Sequence, residues 1–99
     1  MSVVLAQKAM DDLIMFDDGL IAAGSSMRAS LLVISAAGHL GSFPNWGPPV
    51  SDRALAARGF RKLLCRPYIA YYRVNEAGDV VIHRVFHQLE DYLGRGEVG

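Results

Sequence analysis

Ninety-nine residues, 52% of them hydrophobic, allow one domain with a single hydrophobic layer between helices and a sheet. Cys65 is the only cysteine, so no internal disulfide can form, and no stretch approaches the roughly 18 uninterrupted apolar residues of a membrane span. Residues 1–12 lack the basic start and apolar run of a signal peptide, so a cytoplasmic protein is expected. The formal net charge of zero argues against a general nucleic-acid binder.

In chain order, Val3 to Leu5 is a short apolar, β-branched run and reads as a first strand. From about Gln7 the period turns helical. Met10, Leu13, Phe16 or Asp17, and Leu20 fall near i, i+3, i+4 spacing, while Asp11, Asp12 and Asp18 point elsewhere. Asp11 and Asp12 come early in that helix, where carboxylates suit the positive end of the dipole. Gly24-Ser25-Ser26 breaks the pattern, and either serine can N-cap a second helix. Its apolar stripe is expected from Met27, Leu31 and Ile34, broadened by Leu32 and Val33, with Gly38, Gly41 and Pro44 as the stop. So short a link between two helices predicts an antiparallel hairpin.

Residues 42–57 hold three of the four prolines and form a loop, with room for a helical turn over Ser51 to Ala57. After Gly59 the period becomes that of strands: Phe60–Cys65, Tyr68–Val74 and Val80–His87. Arg66-Pro67 separates the first two, and Pro67 keeps Arg66 extended. The five residues Asn75-Glu76-Ala77-Gly78-Asp79 between the last two are a hairpin signal. The order β-α-α-β-β-β with a short C-terminal tail predicts an α+β fold, a helical hairpin packed on a small antiparallel sheet, in one domain over residues 1–99.

Charge is unevenly spread along this order. Residues 1–52 set Lys8 and Arg28 against Asp11, Asp12, Asp17, Asp18 and Asp52, a balance of −3. Residues 53–84 set Arg53, Arg58, Arg61, Lys62, Arg66, Arg73 and Arg84 against Glu76 and Asp79, a balance of +5. The tail, with Arg95 against Glu90, Asp91 and Glu97, returns −2. A basic segment inside a neutral chain suggests a local anionic partner, an acidic peptide or a phosphate backbone; its alternative is a solvated face of scattered arginines.

The segment from Gly59 to Tyr92 resembles the C-terminal sheet of ParE-like toxins of the RelE/ParE superfamily. The matching residues are Tyr68, Tyr72, Arg73 and Val74 on one strand, then Val80, Ile82, Arg84, Val85 and His87 on the next. The helical hairpin before them fits the family order, so the resemblance covers nearly the whole chain. It implies a toxin held inactive by a co-expressed antitoxin. ParE-like members act on DNA gyrase, whereas RelE-like members cut messenger RNA on the ribosome. RelE-like nucleases carry lysines and arginines on the sheet and a tyrosine or histidine near the C-terminus. Here Arg61 falls near one such basic position, Ile69 stands where those nucleases have an arginine, and Gln88 or Leu89 occupies the C-terminal basic region. Most of the nuclease set is absent, which favours the ParE-like branch.

Cleaving RNA through its 2′-hydroxyl needs a base, cations on the phosphate and an acid at the leaving oxygen. On a regular strand His83, Val85 and His87 face one way and Arg84 and Phe86 the other. His83 and His87 would then lie about 13 Å apart, too far to share one phosphate unless a bulge intervenes. The nuclease candidates are therefore His87 and Arg61, with His87 reading alternatively as a cap on the strand or a partner of the tail. His39, at a helix end, suits the dipole. Arg61, Arg66, Arg73 and Arg84 form the candidate basic face for the target or the antitoxin. Tyr68, Tyr71 and Tyr72 alternate with them, and at least one of Tyr71 and Tyr72 must face the helices. Trp46 reads equally as a partner anchor and as a plug between loop and core. Cys65 and the three histidines lack metal-ligand spacing, so neither metal nor cofactor is expected.

The expectation is a binding protein that engages gyrase through its basic sheet and tail. Its antitoxin would lay an amphipathic helix between hairpin and sheet, on Leu13, Phe16, Leu20 and Leu31, and could add a strand at a free edge. A toxin–antitoxin hetero-oligomer fits that arrangement. The rival is a ribosome-dependent endoribonuclease using Arg61 and His87, and a third reading is a non-toxic member that only binds antitoxin.

Overall fold

A computed structural model describes residues 2–90. The elements are β1 (Val3–Leu5), α1 (Gln7–Ala22), α2 (Ala29–Ala37), α3 (Arg53–Ala57), β2 (Arg61–Cys65), β3 (Tyr68–Val74) and β4 (Val80–His87), with 3₁₀ turns at Gly38–Gly41 and Gln88–Glu90. The expected α+β layering is present. The strands lie in the order β1-β4-β3-β2. β2, β3 and β4 pair antiparallel as expected, whereas β1 joins β4 in parallel with Val3 opposite Val80, so the sheet is mixed. The tail beyond residue 90, with the target contacts expected of it, lies outside the described residues.

The two long helices cover one face of the sheet, α1 against β4 and α2 against β2 and β3. On α1 the inward positions are Ala9, Asp12 and Leu13, with Phe16 and Leu20 at the margin of the core. Asp12 thus faces in rather than out, and neither Asp11 nor Asp12 is in the first turn, so the dipole does not account for them. On α2 the inward stripe is Ala29, Val33 and Ala37, at i, i+4, i+8. These small side chains let the helix lie close to the sheet, and Met27, Leu31 and Ile34 are turned to the surface instead. Neither serine caps α2: Ser25 Oγ accepts from Met27 N at 3.1 Å within the link. The helix start is instead bound from α1, where Asp17 accepts from Ser30 N at 3.2 Å and from Ser30 Oγ at 2.5 Å. Burial opposes ionisation of Asp17, but the Ser30 and Ala29 hydrogen bonds and the Arg28 charge outweigh it and hold its pKa below the usual value.

A second, smaller core lies on the other face, where Val50, Leu55, Phe60, Tyr71 and Phe86 pack beneath α3. The expected helical turn is α3, N-capped by Asp52, whose carboxylate accepts from Leu55 N at 2.9 Å. Tyr72 belongs to the helix-side core and Tyr71 to the outer one, and both are fully buried. Cys65 is buried too, which pushes its thiol up to about 11 and leaves it chemically quiet.

The proline-rich loop runs along the outer edge of β2. Pro49 bridges to Arg61, Lys62 N donates to Pro48 O at 3.1 Å, and Val50 N donates to Phe60 O at 3.2 Å. Tyr72 Oη fixes the loop from below, donating to Pro44 O at 3.0 Å and accepting from Gly47 N at 2.9 Å. Gly47 is required by this fit, because a Cβ there would stand 2.2 Å from Lys62 O and 2.9 Å from Tyr72 Oη.

Candidate functional site

The alternation expected of β4 is broken. Tyr71 pairs with Arg84 but Tyr72 pairs with Ile82, so His83 is an extra residue in the strand, a β-bulge. The bulge separates the two histidines instead of bringing them together. His83 packs edge-on to Phe60 in the outer core, 5.1 Å between ring centroids. His87 packs edge-on to Tyr68 on the helix side, at 5.6 Å. Its Nδ1 accepts from Leu89 N at 3.1 Å, the strand-capping alternative foreseen for it. His83 has its pKa held below the ordinary value by burial and then by the charges of Arg73 and Arg58.

Arg61 and His87 are not neighbours. Arg61 pairs with Tyr72 and His87 with Tyr68, so they stand four residues apart along β3, about 13 Å along the strand alone. The Arg61 guanidinium is also engaged, donating to Gly47 O at 2.7 Å.

The four arginines expected on one basic face are dispersed. Arg61 fastens the proline-rich loop, and Arg66 is exposed in the β2–β3 turn before a cis bond to Pro67. Arg84 reaches around the sheet edge to Asp12, with Nε–Oδ2 at 2.9 Å and Nη2–Oδ1 at 3.2 Å. The same carboxylate accepts from Val85 N at 2.9 Å. The cause is a length mismatch. β1 ends opposite Ile82, which leaves the rest of the β4 edge without a strand partner among the described residues, and Asp12 supplies an acceptor there. Arg84 therefore belongs to the closure of that edge rather than to an open cationic surface.

Arg73 lies on the outer face, its guanidinium carbon 5.2 Å from the Phe60 centroid. Arg58, which the sequence reading passed over, is at the same distance from the same ring. It follows α3, and Gly59, with φ of +87°, turns the chain so that Arg58 and Phe60 meet. Both arginines line a cleft with Val74, Asn75, Glu76 and Ala77. Among the described residues no group of three His, Cys, Asp or Glu is placed to hold a metal ion.

The apolar candidates also divide. Leu13 is only 4% exposed and belongs to the core, so it is withdrawn from any contact surface. Phe16, with its ring 4.9 Å from Tyr68, and Leu20 are half-buried at the core margin. Leu31 is 66% exposed, and Ile34 beside it is exposed as well. Met10, expected on the inward face of α1, instead shares an exposed stripe of that helix with Ile14 and Ile21. An apolar groove lined by Val3, Leu5, Ile34, Ala37, Gly38 and Ile82 separates β1 from α2. Trp46 is exposed rather than a core plug and stacks on His39, with 6.1 Å between centroids.

The model of the ParE toxin of type II toxin–antitoxin systems, parDE, matches residues 3–92. The chain belongs to this family. Among solved structures, the toxin–antitoxin complex RelBE2 from Mycobacterium tuberculosis is similar, with a TM-score of 0.59 and 26% identity over 87% of this chain and 95% of that one. No curated protein sequence matches. In this ParE-family chain no helix among the described residues is long and apolar enough to cross a membrane.

Proposed function

We propose that this toxin of a type II module arrests growth in the cytoplasm by binding DNA gyrase, as a binding protein rather than a nuclease. The observation that carries the reading is the placement of the nuclease candidates. Arg61 and His87 flank β3 four residues apart along it, and the Arg61 guanidinium is bonded to the proline-rich loop. An acid, a base and a cation around one phosphate must lie within hydrogen-bond reach of it, and backbones about 13 Å apart with the guanidinium committed to the loop weigh against that. A cognate antitoxin neutralises the toxin by laying an amphipathic helix on Leu31, Ile34 and the half-buried margin at Phe16 and Leu20. Its chain adds a strand at β1, whose outer edge has no partner among the described residues.

The test is pulse-labelling of DNA and protein synthesis after induction of the chain alone, with gyrase supercoiling assayed in vitro. DNA synthesis should stop first, and the purified chain should block supercoiling until antitoxin is added. An early stop in protein synthesis, with transcript cutting abolished by His87→Ala, would replace this reading by the ribosome-dependent nuclease. If neither synthesis changed, the toxic activity would be refuted and antitoxin binding would remain.

A further inference from the structure

We propose that Arg58, Arg73 and His83, gathered around the ring of Phe60, form a binding site for a phosphate group. The ring is 1% exposed and acts as a fixed platform. The guanidinium carbons of Arg58 and Arg73 both stand 5.2 Å from its centroid, so they are separated by no more than twice that distance. The His83 imidazole meets the same ring at 5.1 Å. Stacking on an aromatic ring sets the plane of a guanidinium and leaves its N–H edge for a ligand.

Neither arginine makes an ion pair among the described residues, and the Arg73 side chain's hydrogen bond is to the Arg58 carbonyl at 3.5 Å. Like charges held this close repel unless an anion sits between them. Glu76 lines the cleft from the β3–β4 turn without pairing to either. A carboxylate has two oxygens and suits one guanidinium fork, whereas a phosphate monoester brings three acceptor oxygens and a charge of about −1.5 to −2 near neutrality. Its three acceptors match in number the two guanidinium edges and the imidazole. The site stands whether or not the chain binds gyrase.

Occupancy has a spectroscopic signature in His83. The charged groups acting on it are Arg73 from β3 and Arg58 from the turn after α3; Glu76 of the β3–β4 turn lines the cleft beside those two, β1 brings none, and the neighbouring Arg84 is turned to Asp12. A bound dianion offsets the two guanidinium charges, so binding must raise the His83 pKa.

The experiment is a proton NMR titration of the His83 imidazole in the full chain, with sodium phosphate, acetate or chloride at constant ionic strength. His83→Gln assigns the signal, and Arg58→Gln and Arg73→Gln are run in parallel. The expected result is a saturable shift and a raised His83 pKa in phosphate alone, with affinity reduced about tenfold or more in either arginine variant. Arg58 is exposed, so Arg58→Gln keeps the test decisive even if Arg73→Gln fails to fold. Phosphoserine and adenosine 5′-monophosphate are the further arms. Tighter binding of either than of inorganic phosphate supports the site and names the source of its phosphate. Equal shifts in phosphate and chloride, acetate binding as tight as phosphate, or undiminished affinity in a folded Arg58→Gln protein would each overturn the proposal.

Discussion

Replacing Asp12 by alanine removes one carboxylate from three donors: Arg84 Nε at 2.9 Å, Arg84 Nη2 at 3.2 Å and Val85 N at 2.9 Å. Two losses follow. Val85 is fully buried, and its N–H left without an acceptor costs about 1 to 3 kcal/mol. The Arg84 and Asp12 side chains are 23% and 12% exposed, so water partly screens them. Their charge-assisted bonds then contribute near the low end of about 1.5 to 3 kcal/mol. The sum, about 3 kcal/mol, is a large share of the stability of so small a domain. It corresponds to a fall in Tm of about 12 to 24 °C, read by circular dichroism on heating. Asp12→Asn, which keeps an acceptor for Val85, should lose about half as much. Adding Arg84→Met to Asp12→Ala should recover part of the loss by removing a charge that has lost its carboxylate. An Asp12→Ala melting temperature within about 3 °C of the parent would refute the argument that this carboxylate closes the β4 edge.

Three further outcomes are expected. His83 has a depressed pKa, so the unfolded chain binds its proton more readily. Its contribution to stability is full above about pH 6.5 and is lost as pH falls through the lowered value. Urea midpoints measured between pH 7.5 and 5.5 should therefore decline less in His83→Gln than in the parent, and an identical slope would remove His83 from the account. Gly47→Ala should cost about 1 to 3 kcal/mol and move the fluorescence of Trp46, the sole tryptophan, since backbone must shift to admit the methyl group. Leu31→Glu should leave stability within about 0.5 kcal/mol while weakening antitoxin affinity in calorimetry, whereas Leu13→Ala should cost about 2 to 5 kcal/mol of stability.

The strands were legible because β-branched and aromatic runs are cut by Arg66-Pro67 and by the turn at residues 75–79, both strong local signals. The facing of α2 was not. Its sequence, ASLLVISAA, is apolar on nearly every side, so size suggested Leu31 and Ile34 for the core while packing against the sheet selected Ala29, Val33 and Ala37. The β4 bulge has no local signature and appears only when the strand is paired with β3. Asp12 looked like a solvent residue because its partner is an unmatched N–H on another element. A three-residue β1 beside an eight-residue β4 was the available hint that an acceptor would be needed. Arg58 escaped because it sits outside every strand, and the left-handed Gly59 that folds it over Phe60 gives no sign of direction.

The proline-rich loop along β2 has a consequence for assembly. Pro48 and Pro49 carry no N–H, and the loop already takes up the Lys62 N–H on that margin, so β2 is a poor template for another chain. Among the described residues, growth of the sheet by backbone pairing is then directional, favoured at β1. Two copies meeting there would form a closed, two-fold pair whose outer margins are each partly covered by the proline-rich loop. Such a pairing halts at two, so the geometry that leaves an edge open for a partner strand also denies the protein a route to filaments.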